Sequence, residues 1–413
     1  MWMLLIIMML TSCSDHSGDS SDEKGDCFLN IYVYGPERPM LTRADVGDIA
    51  SKSVEEHMVH TLRIWVFKHN SDGSKAVGYL KTEPTFLNET NGQEMFQMKV
   101  DKEFADHPEN VDVYVVGNAE NVELKNGTES LTLGENTTRD QLDAAKIGES
   151  SFGVVEKEEE SGYYIPSVST VPSTGLPMSA VEKDQPIYGS FPTLRIGSQE
   201  RMTTLQLIRA VSKLRFVLCR ITNEVDNTLV SIDNIQLNNG INSNNEVDES
   251  TCRIPKESYL MPVENPSYTT TGYVSSAINY VSETNKLLPN SIPAVEDPLV
   301  YAYETQSAQE YEDLINQAIE GNHLKDLGLT YLRESDKQLT GPIHYTIENL
   351  STQQQTSKVA EFSMAAPGDF RRNRSWIIYA FYLDATIYTL TVTNIGMKSW
   401  ASGGYEEKSV YNW

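Results

Sequence analysis

Cysteine is scarce in this sequence and follows no metal-binding pattern. Only four cysteines occur in 413 residues, at Cys13, Cys27, Cys219 and Cys252. Apart from Cys13, an odd number remains with no CxxC spacing, which argues against a zinc site and against a disulfide framework. Cys219 lies in the apolar run FVLCRI and is predicted to be a small core residue. A single bridge from Cys252 to Cys27 or to Cys219 stays open.

Basic residues are also few. The chain has 33 Lys and Arg against 58 Asp and Glu, a formal net charge of −25. This excess of negative charge would repel a phosphate backbone, so we predict no nucleic-acid partner. Acidity of this degree is typical of a soluble, secreted surface.

The motifs of common enzymes are missing as well. The sequence holds no GxSxG elbow, no P-loop, no GxGxxG after a strand and no HExxH. His57 and His60 could share a metal on a helix, but no third ligand accompanies them, and a polar turn is the favoured interpretation. The acidic run 156–160 is interpreted as a solvated face rather than a calcium site. The sequence therefore favours a binding or structural protein over an enzyme, with no cofactor and no metal.

The apolar run at the N terminus is short. A transmembrane helix needs roughly 20 apolar residues, whereas this run ends at Leu10 and leads into Leu10-Thr11-Ser12-Cys13. That pattern is a lipobox, so we predict a lipoprotein signal peptide over 1–12 and lipid attachment at Cys13. A buried N-terminal element with an incidental cysteine is the alternative. The acidic, apolar-poor segment 13–26 is interpreted as a disordered tether.

What the sequence has in abundance is short alternating apolar runs separated by Gly, Asn, Asp and Pro. Such runs predict strands over 28–34, 62–67, 95–100, 111–118, 205–221, 230–237, 357–364, 375–383 and 386–393. Helical patterns are few: a capping box at Thr138 opens a helix to about Lys146, and apolar residues near helical spacing predict a helix over 307–327. The predicted fold class is all-β.

The strand pattern weakens between about 148 and 200, where Gly, Ser and Pro accumulate and no strand longer than a few residues is predicted. This favours a domain junction near 190–200, although a long loop inside one domain would look similar. We therefore predict an N-terminal β-sandwich domain over 27–195 and a C-terminal β-sandwich domain over 196–413, with the loop-rich stretch 238–298 decorating the second.

Several segments, taken in their order and spacing, resemble one family: the fimbrillins, lipoprotein precursors of the major and minor subunits of type V pili in Bacteroidota. The segments are Leu41-Thr42-Arg43-Ala44 after the first strand, LRIWVF (62–67), VYVVGNAEN (113–121), GLPMS (175–179), LIRAVSKLRFVL (207–218) and FRRNRSWIIYAFYL (370–383). The family's Arg-Ala-x-Ala-Lys element reads Arg209-Ala210-Val211-Ser212-Lys213 here. Residues Gly117-Asn118 are predicted to end a buried strand in a left-handed turn.

The resemblance implies two tandem transthyretin-like β-sandwich domains with a few short helices. It implies a fimbrial subunit at the cell surface, delivered to the outer membrane as a palmitoylated lipoprotein. It also implies cleavage by an arginine-specific protease after a residue such as Arg43, before Ala44. Cleavage would remove the strand 28–34 and expose an apolar groove, which a strand of the next subunit would fill.

The residues support this mechanism without the analogy. A missing strand leaves unpaired backbone groups beside an exposed core, and an added strand satisfies both. Within 35–61, Gly and Pro break the strand and Arg38 is a second candidate site. An ordinary surface arginine in a linker is the alternative for Arg43.

The donor end departs from the family pattern. The stretch 400–413 carries Gly403-Gly404 and charged residues, and offers few apolar anchors. An uncleaved pilus anchor, a tip subunit and a non-polymerising receptor for glycans or host proteins therefore remain alternatives. Four aromatic residues could stack on sugars: Tyr163, Tyr164, Trp376 and Trp400. Aromatic residues at alternating spacing are, however, more often core residues. The basic residues Arg209, Lys213 and Arg215 all lie at odd-numbered positions of the predicted strand, which places them on one face. That face is predicted to be solvated.

Overall fold

The computed structural model of the chain describes residues 26–36, 55–88, 92–148, 150–152, 155–157, 164–166, 171–220, 228–236, 254–264, 266, 268, 273–274, 277–279, 286–287, 324–363, 370–383 and 386–394. Most of these residues lie in β-strands, which confirms the all-β fold class. Within this part of the chain, helix is found in α1 (Lys102–Asp106), α2 (Arg139–Ala144), a 3-10 turn at Phe86–Asn88 and the single helical residue Glu55. None of its helices is long and apolar enough to cross a membrane.

The strands up to residue 209 are, in chain order, β1 (Cys27–Tyr34), β2 (Leu62–Lys68), β3 (Gly78–Thr82), β4 (Gln93–Val100), β5 (Val111–Gly117), β6 (Leu124–Asn126), β7 (Glu129–Ser130), β8 (Lys146–Ile147), β9 (Val155–Lys157), β10 (Tyr164–Pro166), β11 (Met178–Gln185), β12 (Ile187–Ser190), β13 (Thr193–Ile196), β14 (Thr204–Gln206) and β15 (Ile208–Arg209).

The strands that follow are β16 (Val211–Arg220), β17 (Thr228–Gln236), β18 (Ile254–Pro255), β19 (Ser258–Tyr259), β20 (Tyr273–Val274), β21 (Ala277–Asn279), β22 (Lys286–Leu287), β23 (Leu324–Arg333), β24 (Thr340–Asn349), β25 (Gln355–Ser363), β26 (Ser375–Leu383) and β27 (Thr386–Asn394).

Two sheets enclose the first core. The β1 sheet has the order β12-β13-β1-β14, with β4 on the other side of β1, and the β5 sheet has the order β15-β11-β5-β2-β3. Apolar side chains of both sheets form one buried cluster. In β1 every second residue is buried because its alternating sequence gives one apolar face, whereas β5 is buried along its whole length.

Two further sheets enclose the second core. The β16 sheet has the order β23-β16-β26-β27, and the β24 sheet has the order β21-β17-β24-β25, with β22 also paired to β17. Leu214, Phe216 and Leu218 of β16 meet Ile343, Tyr345 and Ile347 of β24 in the second buried cluster. Each core therefore lies between two sheets, which is the layer architecture of a β-sandwich.

The first core also contains residues from beyond β17 in the sequence. Strand β19 pairs with β8 and extends a small sheet of order β19-β8-β6-β7. Next to it, Leu260 and Met261 are buried in the first core, and Ser179 Oγ donates a hydrogen bond to the Leu260 carbonyl at 2.6 Å. Residues far apart in sequence thus complete one core.

Most strand predictions are confirmed to within two residues at either end, because their alternation is regular. The predicted strand 205–221 is instead broken at Leu207 and Ala210 into β14, β15 and β16. The prediction of only short strands between 148 and 200 is wrong, since β11 runs over eight residues. Its exposed Glu182-Lys183-Asp184 end obscures the strand pattern.

The helix predicted from Thr138 is confirmed as α2. The Thr138 side chain accepts a hydrogen bond from the backbone of Gln141, whose side chain accepts one in return. The helix predicted over 307–327 is wrong at 324–327, which begin β23, and 307–323 lie outside the described residues. The domain limits 27–195 and 196–413 stay a prediction, and position 195/196 falls inside β13, whose Leu194 and Ile196 belong to the first core.

Candidate functional site

Strand β1 lies inside its sheet and has neighbours along both edges. All eight of its residues pair antiparallel with β4, from Cys27 opposite Val100 to Tyr34 opposite Gln93. On the other edge it runs parallel to β13 and then to β14. Leu29, Ile31 and Val33 are 0% exposed. The strand therefore contributes both backbone pairing and a row of core side chains.

Strands β13 and β14 together behave as one interrupted strand. The first pairs with residues 28–30 of β1 and the second with residues 32–34, in the same direction. Between them the chain makes an excursion over 197–203, closed by hydrogen bonds from Ser198 N to Arg201 O and from Thr203 N to Ile196 O. Gly197 has φ +120°, and a Cβ there would meet the Arg201 carbonyl, so glycine is required at this position.

The chain leaves β1 through a narrow passage at Gly35. Its N–H donates to the Gly92 carbonyl at 2.9 Å, and its own carbonyl accepts from the Gln206 side chain. A Cβ on Gly35 would lie 2.4 Å from the backbone oxygen of Leu87. The exit of β1 is thus held by the turn before β4 on one side and by β14 on the other.

Several predicted site residues cannot be placed. The lipid-attachment candidate Cys13, the cleavage candidates Arg43 and Ala44, and also Arg38 and Cys252 lie outside the described residues. Cys27 is a buried free thiol, and desolvation raises its pKa. It opens β1, on the same core-facing side as Leu29.

The chain re-enters the described structure at the exposed Glu55, and the next residue, Glu56, is a buried acid. Its carboxylate Oε1 accepts hydrogen bonds from Tyr331 at 2.6 Å and from Lys213 Nζ at 2.8 Å. Its backbone carbonyl accepts from Arg209 Nε at 2.8 Å, and Arg209 Nη1 also donates to Asn373 Oδ1 at 2.9 Å. Burial and then the Glu56 charge raise the pKa of Tyr331, so its phenol remains a donor. These contacts join residues more than 270 positions apart.

The following residues, 58–61, are fixed by two asparagines. Asn118 accepts from the backbone of His60 at 2.8 Å and donates to the carbonyls of Met58 and Leu176. The Asn88 side chain accepts a hydrogen bond from the Val59 N–H at 2.7 Å and donates one to the Val59 carbonyl at 3.2 Å. Asn118 has φ 57°, which confirms the predicted left-handed turn after β5. The sequence predicts this turn but not the role of the Asn118 side chain, because the partners of that side chain come from separate loops.

The prediction of a solvated basic face is wrong. Arg209 and Arg215 are buried, and Lys213 is largely buried against Glu56. The three residues occupy alternate positions, as predicted. Both faces of β16 are nevertheless covered, since Val217, which lies on the same face as Lys213 and Arg215, is also buried. The burial of these basic residues could not be predicted from the sequence, because the residues that cover them, such as Glu56, are distant in the chain.

The other candidate sites do not assemble. Trp376 is buried in the second core. Tyr163, Trp400 and the side chain of Tyr164 lie outside the part of the chain that the structure describes. His57 is buried while His60 is exposed, so they do not face one site. Among the described residues, no group of three His, Cys, Asp or Glu could hold a metal ion. The region around β1 is therefore the candidate functional site.

Comparisons with protein-family profiles and with curated proteins give no match. Among solved structures, the chain is similar to the tip fimbrial protein Mfa3 from Porphyromonas gingivalis with C-terminal truncation (14% identity, 89% of this chain and 99% of that chain, TM-score 0.41). It is also similar to a fimbrial assembly protein from Parabacteroides distasonis (12%, 89% and 95%, 0.39) and to the fimbrial anchor protein Mfa2 from Porphyromonas gingivalis (9%, 89% and 98%, 0.35). These proteins are fimbrial, the class that the sequence motifs resemble. All three TM-scores lie below 0.5, so the proposal below rests on the geometry of β1.

Proposed function

We propose that this chain is a structural or adhesive subunit of a cell-surface fimbria, exported as a lipoprotein through Cys13 and assembled by protease-triggered exchange of β1. The observation that carries the proposal is the position of β1. It is the first strand of the described chain, it has neighbours along both edges in its sheet, and it precedes the predicted cleavage site at Arg43 in the sequence.

The energetics of β1 favour replacement over simple loss. Its inward side chains Leu29, Ile31 and Val33 are fully buried, and each contributes about 1.5–3 kcal/mol by burial. Their sum is comparable with the whole stability of a domain, about 5–15 kcal/mol. Removal of β1 would also leave the backbone groups of β4, β13 and β14 unpaired. A strand from another subunit would satisfy both deficits.

The groove that removal of β1 would leave determines which strand can replace it. A replacement strand that follows the path of β1 runs antiparallel to β4 and parallel to β13 and β14. It must place apolar side chains at alternate positions, as Leu29, Ile31 and Val33 do. Downstream of the predicted cleavage site, the contacts of Glu56 and Asn118 would hold the remaining chain in place.

The test is limited proteolysis with an arginine-specific protease on the folded chain. We expect a new N terminus at Ala44, and loss of this product in Arg43→Lys but not in Arg38→Lys. Resistance at both arginines would contradict the cleavage step.

A second experiment addresses strand exchange. After cleavage, the upstream piece is removed in mild denaturant, and a peptide with the sequence of residues 26–36 is added. We expect the cut chain to self-associate without the peptide and to return to a compact monomer with it. The same peptide with the substitution Ile31→Asp is the control and should not rescue. A cut chain that stays monomeric without any peptide would contradict exchange and favour the alternative, a non-polymerising surface lipoprotein such as a pilus anchor or a receptor.

A further inference from the structure

The outer face of the β1 sheet carries aromatic and amide side chains. Because alternate residues of β1 face the core, the others point outward, and the register places those of β4 beside them. From these two strands the outward residues are Phe28, Asn30, Tyr32, Tyr34, Gln93, Met95, Gln97 and Lys99. The three aromatic residues of β1 are partly exposed.

The face continues across the other neighbours of β1. In register with it stand Thr193 and Arg195 of β13, Thr204 and Gln206 of β14, and Tyr188 and Ser190 of β12. Tyr188 is 36% exposed, and the Arg195 guanidinium lies 5.8 Å from the centroid of its ring. The result is a broad surface of aromatic rings interleaved with hydrogen-bonding groups.

The charge of this face is opposite to that of the chain. In these five strands, which the structure describes in full, the only charged outward side chains are Lys99 and Arg195. The chain as a whole has a net charge of −25. Lys99 pairs with Asp26 at 2.6 Å, but both side chains are more than half exposed, so this pair is weak. The face therefore complements an anionic occupant.

An open pocket of about 340 Å³ adjoins the face at Thr204. The excursion 197–203 forms one wall and the end of β11 forms the other. The pocket presents groups that bind hydroxyls: Glu182, Gln185, Ser198, Arg201 and Thr203. Thr203 Oγ1 donates to Gln185 Oε1 at 2.8 Å, which orients both.

We propose that this surface binds an acidic saccharide chain. Aromatic rings have a negative face, which attracts the polarised C–H groups of a sugar ring, so Tyr32, Tyr34 and Tyr188 can stack on successive sugars. Arg195 and Lys99 bind the carboxylates by charge-assisted hydrogen bonds. The pocket takes the hydroxyls of the sugar at one end of the chain.

The site depends on β1 but not on the fimbrial role. Three of its aromatic residues lie on β1, so any process that removes β1 removes much of the stacking surface. Binding is therefore a property of the uncleaved chain, and it can be measured whether or not cleavage and strand exchange occur.

The test is affinity electrophoresis of the intact chain in native gels containing polygalacturonate, with dextran as the neutral polysaccharide. We expect retardation by polygalacturonate, despite the negative charge of the protein, and much weaker retardation by dextran. Tyr188→Ala and Arg195→Ala should each weaken the affinity about tenfold, since each removes a ring or a charged donor. Leu350→Ala and Lys75→Ala, at exposed turn positions outside these strands, are the matched controls and should leave the affinity unchanged.

Tyr188 and Arg195 are exposed, and circular dichroism melting verifies that their variants remain folded. Absence of retardation by polygalacturonate, or equal retardation by dextran, would overturn the proposal. Retardation that persists in both variants would also overturn the proposal, because binding would then occur elsewhere on the chain.

Discussion

At the scale of single residues, Asp112 shows how one buried carboxylate joins separate parts of the first core. It accepts hydrogen bonds from His69 Nδ1 at 2.6 Å, from Arg139 Nη1 at 2.9 Å and from the backbone of Asp184 at 2.9 Å. Desolvation raises its pKa, but these donors outweigh it and hold the pKa below the ordinary value. The turn after β2, helix α2 and the bend in β11 therefore depend on one charge.

We expect Asp112→Asn to lower the free energy of unfolding at pH 7 by about 1–3 kcal/mol, because the partly buried Arg139 would lose its charged partner but keep its backbone carbonyl acceptors. The pKa of Asp112 is lower in the folded state, so its stabilisation is present above the unfolded pKa of about 3.9 and is lost as the pH falls through the folded value. Urea unfolding between pH 2 and 7 measures both effects.

The stability of the native chain should therefore fall more steeply below about pH 4 than that of Asp112→Asn. Asp101→Asn, which removes an exposed pair with Lys75, is the control and should cost about 0–1 kcal/mol. Parallel pH profiles for the native chain and Asp112→Asn would contradict the assignment.

At the scale of elements, regular alternation made most strands predictable, and distant contacts made the rest unpredictable. The sequence predicts β26 with its observed bounds because its apolar run is flanked by the charged residues Arg374 and Asp384. β11 was missed because its second half is exposed and polar, and it is a strand only through pairing with β5. For the candidate site, the sequence predicted β1 and the left-handed Asn118. It could not predict Glu56 or the burial of Arg209, since their partners come from other parts of the chain.

The exit of β1 offers a prediction at this scale. We expect Gly35→Ala to lower the free energy of unfolding by about 1–3 kcal/mol, because its Cβ would contact the fixed backbone oxygen of Leu87. Gly134→Ala is the matched control, since a Cβ there meets nothing within 4 Å. Urea unfolding compares the two, and equal stability would show that the passage at Gly35 relaxes freely.

At the scale of the whole molecule, the two cores are joined by buried polar contacts as well as by the chain. Arg372 donates to the carbonyl of Leu260, a first-core residue, and pairs with Glu334. Arg333 donates to the carbonyl of Gly148 at 2.8 Å. With the Glu56 contacts, these bonds tie the strands that follow residue 211 to loops of the first core. Such links favour cooperative unfolding of the two cores.

The Glu56 contacts provide the sharpest test of this coupling. We expect Glu56→Ala to lower stability by about 3–5 kcal/mol, because it leaves the Lys213 ammonium and the Tyr331 hydroxyl buried without their acceptor. In calorimetry, a single transition should become broader or split in two as the cores uncouple. The double variant Glu56→Ala/Lys213→Met removes the stranded charge and should regain much of the loss, since an apolar replacement of both partners is often neutral. If Glu56→Ala unfolds like the native chain, the contacts contribute little. If the double variant is no better than the single one, the cost comes from lost packing rather than from an uncompensated charge.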